Sequence, residues 1–135
     1  MERIHHQGKT FAIVLRKDLK VDKSTFLTPD ENSLQLGFIV HAKGYVEAPH
    51  IHKPVERVIR NVQQMLLVES GVVALDFFSD AGEMVKSVEV GQGDTILIME
   101  GAHSIRVLQD LKCLTVKQGP FLGVGEDKIE IGRKK

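Results

Sequence analysis

Gly44-Tyr45-Val46-Glu47-Ala48-Pro49-His50-Ile51-His52 sets a glycine five residues ahead of two histidines that are one position apart. Successive side chains of a β-strand point to opposite faces, so the spacing predicts that His50 and His52 emerge on one face with Ile51 behind them. Neutral imidazole is the commonest protein ligand for zinc, copper, iron and nickel, and a strand that presents two of them is half of a metal site. The same pair also suits two surface or hydrogen-bonded core histidines, and the spacing alone does not choose.

Around this stretch lie 135 residues, enough for one ordinary domain and too few for two. With 42% hydrophobic and 27% charged residues the composition is that of a folded protein rather than a disordered one. Eighteen basic residues balance eighteen acidic ones, leaving no global field to draw the chain to nucleic acid or an anionic membrane. Apolar runs such as Phe11 to Leu15 and Gly71 to Leu75 fall far short of the roughly 20 residues that cross a bilayer. No charged-then-apolar leader opens the chain. Cys113 is the single cysteine, which excludes an internal disulfide and points to a reducing compartment, with the cytoplasm as the expected location.

Working outward from the histidines, the sequence reads as a succession of short strands. Phe11 to Leu15 is a β-branched apolar run, and Leu34, Leu36, Phe38 and Val40 alternate with Gln35, Gly37 and Ile39. Between them Thr28-Pro29-Asp30-Glu31-Asn32 carries turn chemistry. Lys53 to Gln63 reads as a strand or a loop. Gln64 to Glu69 and Val72 to Phe78 read as two strands of a hairpin closed at Ser70-Gly71. Strands are also expected at Met84 to Val90, Thr95 to Met99, His103 to Leu108 and Lys112 to Gln118, with turns at Asp80-Ala81-Gly82-Glu83 and Gly91-Gln92-Gly93-Asp94. Short strands with turn signals about every ten residues predict an all-β sandwich or barrel with little helix. His5 and His6 receive no function, and Arg133-Lys134-Lys135 reads as a solvated end.

The histidine stretch, taken with Gly93-Asp94-Thr95-Ile96-Leu97-Ile98-Met99-Glu100-Gly101-Ala102-His103, resembles the two motifs of the cupin superfamily. Gly44, His50 and His52 match the first motif. Counting six intervening residues back from Gly71 puts Gln64 in a slot that cupins fill with glutamate, after a spacer longer than usual. His103 takes the third histidine position, while Met99 stands where proline is usual and Gly101 is one residue closer to the histidine. The resemblance covers roughly residues 34 to 118 and is closest to small single-domain cupins, often of unassigned activity and sometimes tied to carbohydrate biosynthesis. Members share stretches similar to Leu36-Gly37, Pro49-His50-Ile51-His52, Val116-Lys117-Gln118-Gly119-Pro120-Phe121 and Asp127-Lys128. It implies one domain over 1–135: a jelly-roll barrel of two antiparallel sheets with its core at about 34–118, an N-terminal strand at 11–15 and a tail at 119–135.

The same resemblance implies a metal held by His50, His52, Gln64 and His103, the ion being nickel, iron, zinc or manganese. An amide in place of a carboxylate makes this ligand set neutral, so it grips a cation less tightly and leaves the full dipositive charge on it. Three readings stay open: a metal-dependent enzyme of oxygenase or isomerase class acting on a small sugar-like or carboxylated molecule, a metal-free isomerase or epimerase, and a non-catalytic binder of a small ligand. Tyr45, His41 and Glu56 are the catalytic candidates, Tyr45 as a proton donor, His41 as a histidine that can face the barrel, Glu56 as a substitute carboxylate. Lys117 and Gln118 can face an anionic ligand or solvent. Cys113 is expected to be a small apolar residue. A homodimer is expected, because a barrel of this size covers an exposed edge strand with a partner's.

Overall fold

A computed structural model describes residues 1–131; the charged end at Arg133-Lys134-Lys135 lies outside them. The backbone divides into two units, Met1–Leu19 with the chain from Asn61 onward, and Lys20–Arg60. Strand accounts for 45% and helix for 3%, so the all-β expectation holds. No helix among the described residues is long and apolar enough to cross a membrane.

The larger unit holds β1 (Glu2–His6), β2 (Lys9–Leu15), β5 (Gln64–Phe78), β6 (Met84–Gly91), β7 (Thr95–Ile98), β8 (Ala102–Lys117) and one short turn of helix, α1 (Val124–Asp127). The strands form one antiparallel sheet in the order β1-β2-β7-β5-β6, with β8 paired to β5, and it curls into a half-barrel. Alternation along each strand decides what the curl encloses. Ala12 and Val14 of β2, Ile96 and Ile98 of β7, Leu66, Val68, Val73, Leu75 and Phe77 of β5, and Val88 and Val90 of β6 pack into one buried cluster on the inner face. Phe11 closes the curl, its ring centroid 6.3 Å from that of Phe77.

Ser70-Gly71 is not a hairpin. Gln64–Phe78 is a single 15-residue strand, and the predicted pair of strands at 103–108 and 112–118 is likewise one strand, Ala102–Lys117. The glycine does something else. On one side β5 pairs with β7 over Gln64–Leu67 and with β6 over Val72–Phe78, so Ser70-Gly71 is where the strand changes neighbours. The β5–β8 register slips at Val68/Ser70, Ser70/Val72 and Val72/Val73, the signature of bulges that bend a strand around a corner. Gly71 has φ 87°, and a Cβ there would run into the carbonyl of Asp110 on β8. A glycine required for a bend and a close approach carries the same local signal as a glycine in a tight turn.

The smaller unit is built around β3 (Thr25–Phe26) and β4 (Gly37–Phe38), which pair antiparallel; only this part of the strand expected over residues 34–40 forms. The intervening turn is tied by side chains. Thr28 Oγ1 accepts the Leu36 N–H at 3.1 Å, and the Gln35 amide donates to the Pro29 carbonyl at 2.8 Å and the Asn32 carbonyl at 2.9 Å. Residues 45–60 contain no strand. The ambiguous stretch from Lys53 is therefore a loop.

Candidate functional site

His50 and His52 stand in this loop rather than on the strand that their spacing predicts, yet their rings are neighbours, with centroids 5.4 Å apart and planes at 78°. An extended chain keeps side chains i and i+2 on one side even where no neighbouring strand pairs with it. His50 Nδ1 lies 3.1 Å from the Ala48 carbonyl oxygen and 3.6 Å from Glu47 Oε1. A carbonyl can only accept, so Nδ1 carries the proton in this hydrogen bond and the neutral ring keeps its lone pair on Nε2. Nearby, the rings of His41 and Tyr45 stack face to face, with centroids 3.7 Å apart. Parallel rings do not exchange a hydrogen bond, so neither prepares the other for proton transfer. Glu56 is exposed in the unpaired loop.

Gln64 and His103 belong to the larger unit, and strand register places both on the inner face of its sheet. His103 is opposite Phe77 and Gln64 is opposite Lys117 and Ile98; directly opposed residues share a face. Phe77 and Leu66 are core residues, which identifies that face as the inner one. His103 repeats the arrangement of His50. Its Nδ1 is 3.1 Å from the carbonyl of Gly101, again two residues earlier, which leaves Nε2 as the free lone pair. Gln64 donates from Nε2 to Thr115 Oγ1 at 2.9 Å, and Thr115 donates on to the Met65 carbonyl at 3.1 Å, so the Gln64 carbonyl oxygen is the end of the amide left to accept. Beside His103 the inner face is apolar and open: Ile105 and Val107 are 46% and 58% exposed, although the β5 residues opposite them are fully buried.

The donor atoms thus have the chemistry that a transition metal takes: imidazole Nε2 lone pairs on His50 and His103, and a neutral amide oxygen on Gln64. Among the described residues, no three His, Cys, Asp or Glu side chains are gathered closely enough to hold a metal ion. Known protein families, curated proteins and solved structures offer no match to this chain.

Two further residues singled out in the sequence are occupied elsewhere. The Lys117 ammonium sits 4.8 Å from the Phe121 ring centroid and 3.6 Å from Asp127, and Gln118 Oε1 accepts the Gln63 N–H at 2.8 Å. Both fasten the chain that follows β8. Burial, followed by the charge of Glu69, pushes the Cys113 thiol up, and the side chain packs against the core as a small apolar group.

Two ionic clusters lie outside the candidate residues that the sequence offers. Asp76, 2% exposed, receives Arg106 Nε at 2.5 Å, Arg106 Nη2 at 3.0 Å and the Ser87 hydroxyl at 2.5 Å. The Arg106 hydrogen bonds, followed by that of Ser87, hold its carboxyl at about 2, below the usual 3.8. The cluster joins β5, β6 and β8 on the face away from the core cluster. Asp94 accepts from the Gly91 amide at 3.1 Å, the Lys17 amide at 3.0 Å and Arg16 Nη1 at 2.9 Å. Burial pushes this carboxyl up, but the two amides and the guanidinium outweigh it and the net movement is down. Asp94 pins the end of β2 to the β6–β7 turn. The sequence does hold a signal for the first cluster, since Asp76 interrupts Val72 to Phe78 and Arg106 interrupts Ile105 to Leu108. A lone charge inside an apolar strand calls for a partner.

Proposed function

We propose that the protein is a metal-binding protein of cupin type that holds a divalent transition ion through histidine Nε2 atoms and binds a small polar, sugar-like or carboxylated molecule. The observation that carries this reading is the shared posture of His50 and His103, each donating Nδ1–H to the carbonyl two residues earlier. Ligating histidines are oriented in this way, because the bond fixes the tautomer and raises the basicity of the other nitrogen. Gln64, turned by Thr115, presents oxygen rather than nitrogen. When bound, such an ion supplies a positive charge that polarises a substrate carbonyl or hydroxyl. The chain's own contribution is to orient: the exposed Ile105 and Val107 offer an apolar wall that shields one side of a ligand from water, while Thr115 and Gln64 supply the polar end.

Calorimetric titration of nickel and zinc into metal-stripped protein tests the reading. One ion per chain is expected, with His50→Ala and His103→Ala each weakening binding by about tenfold or more and His41→Ala leaving it unchanged. Unaltered affinity in both His50→Ala and His103→Ala would sink the proposal.

A further inference from the structure

His103 takes its posture from the turn that precedes it, and that turn is gripped by one residue of another strand. Residues 99–101 join β7 to β8. Phe11 of β2 holds them twice. Its carbonyl accepts the Met99 N–H at 2.8 Å and the Glu100 N–H at 3.4 Å, and its ring fills the space beside Gly101. Gly101 has φ 84°, and a Cβ there would stand only 2.8 Å from the nearest carbon of that ring. Asn61 ties the same turn, donating from Nδ2 to the Met99 carbonyl at 2.8 Å.

The ring is itself fixed. Phe11 is 3% exposed, and its ring packs against His6, with centroids 5.7 Å apart, and against Phe77, at 6.3 Å. Phe11 therefore reaches His103 by two routes. One is Gly101, whose carbonyl oxygen lies 3.1 Å from His103 Nδ1; the other is Phe77, whose ring centroid is 6.4 Å from that of the imidazole. A carbonyl can orient an imidazole only if its own peptide is held, and a glycine at positive φ has no side chain with which to hold it. The Phe11 ring supplies that restraint. His50 makes the corresponding contact with the Ala48 carbonyl from a loop without strand, which makes it an internal comparison.

We propose that Phe11 is a positioning residue for His103: its ring fixes the Gly101 carbonyl, so that the imidazole keeps its proton on Nδ1 and its lone pair on Nε2. That this lone pair meets an ion rests on the metal reading above; that Phe11 selects the tautomer does not.

Long-range proton–nitrogen correlation spectra of the histidine rings, recorded without metal at alkaline pH where imidazole is neutral, read the tautomer directly. Wild-type His103 is expected to show a protonated Nδ1 and a bare Nε2. In Phe11→Leu, which keeps an apolar side chain but removes the ring, the two nitrogen shifts are expected to approach each other as the Nε2–H form appears, with those of His50 unchanged. Gly101→Ala, which presses on the ring from an exposed turn, is expected to act in the same direction and serves as the second variant should Phe11→Leu fold poorly. Val14→Ala removes packing from the same core cluster, at a position paired with Glu2 and Ile96, and is expected to lose stability while the His103 tautomer stays as it was. Zinc is expected to bind Phe11→Leu about tenfold more weakly than wild type. A His103 tautomer that is unchanged in both Phe11→Leu and Gly101→Ala, or that moves as far in Val14→Ala, overturns the proposal. No zinc uptake by the wild type, or an unchanged affinity where the tautomer moves, counts against the metal reading instead, and the spectra then decide the role of Phe11 by themselves.

Discussion

Asp76→Asn removes one charge from a carboxylate that is only 2% exposed and leaves the shape of the side chain intact. In the wild type the folded-state carboxyl titrates at about 2 against 3.8 in the unfolded chain, because Arg106 and Ser87 bond its charged form. A depressed folded-state value means that ionisation stabilises the fold. The stabilisation is fully present above pH 3.8 and disappears as the pH falls through 2. At 1.36 kcal/mol per unit the full shift is worth about 2.4 kcal/mol; with the Arg106 side chain 55% exposed and screened by water, about 1–2 kcal/mol is expected. Urea unfolding followed by circular dichroism should therefore find Asp76→Asn less stable by that amount at pH 7, with the gap closing between pH 4 and pH 2. Taking the difference between the two proteins cancels the titration of every other carboxylate. A gap that stays constant down to pH 2 would show that the amide disturbs packing rather than charge, and no gap at pH 7 would refute the pairing.

Gly71→Ala is expected to destabilise the fold by about 3 kcal/mol or more, because the new methyl group meets the Asp110 carbonyl at a residue already held at φ 87°; a thermal melt within two degrees of wild type would contradict the corner assigned to it. Asp94→Asn should cost about 1–3 kcal/mol at pH 7, and because the Asp94 carboxyl sits below its ordinary value, that loss should shrink in acid, as urea titrations at pH 7 and pH 3 can check. Gln64→Glu adds a ligand charge and should tighten nickel or zinc binding by about tenfold, which is 1.4 kcal/mol; an unchanged calorimetric affinity removes Gln64 from the ligand set.

The all-β class was legible because alternation and turn residues are local properties: Phe11 to Leu15 and Met84 to Val90 fall where strands form, as does Thr95 to Met99 except for its last residue. What alternation does not report is what a glycine is for. Ser70-Gly71 looks like a hairpin and is a corner, because the clash that demands glycine comes from Asp110, a residue 39 positions away along the chain. Long-range ion pairs are hidden for the same reason, with Asp76 and Arg106 separated by 30 residues and Arg16 and Asp94 by 78. For the candidate site, the adjacency of His50 and His52 followed from spacing, even though the strand expected to carry them is a loop. The tautomers of His50 and His103 were not legible, since they depend on carbonyl positions that only the folded backbone supplies.

Elemental analysis of protein purified without an affinity tag or chelator addresses the metal reading most directly. About one nickel, iron, zinc or manganese ion per chain is expected, with the content lost in His50→Ala and in His103→Ala and retained when His5 and His6 are both replaced by alanine. Metal-free protein that takes up none of these ions when they are supplied, or metal that follows His5 and His6 instead, would contradict it.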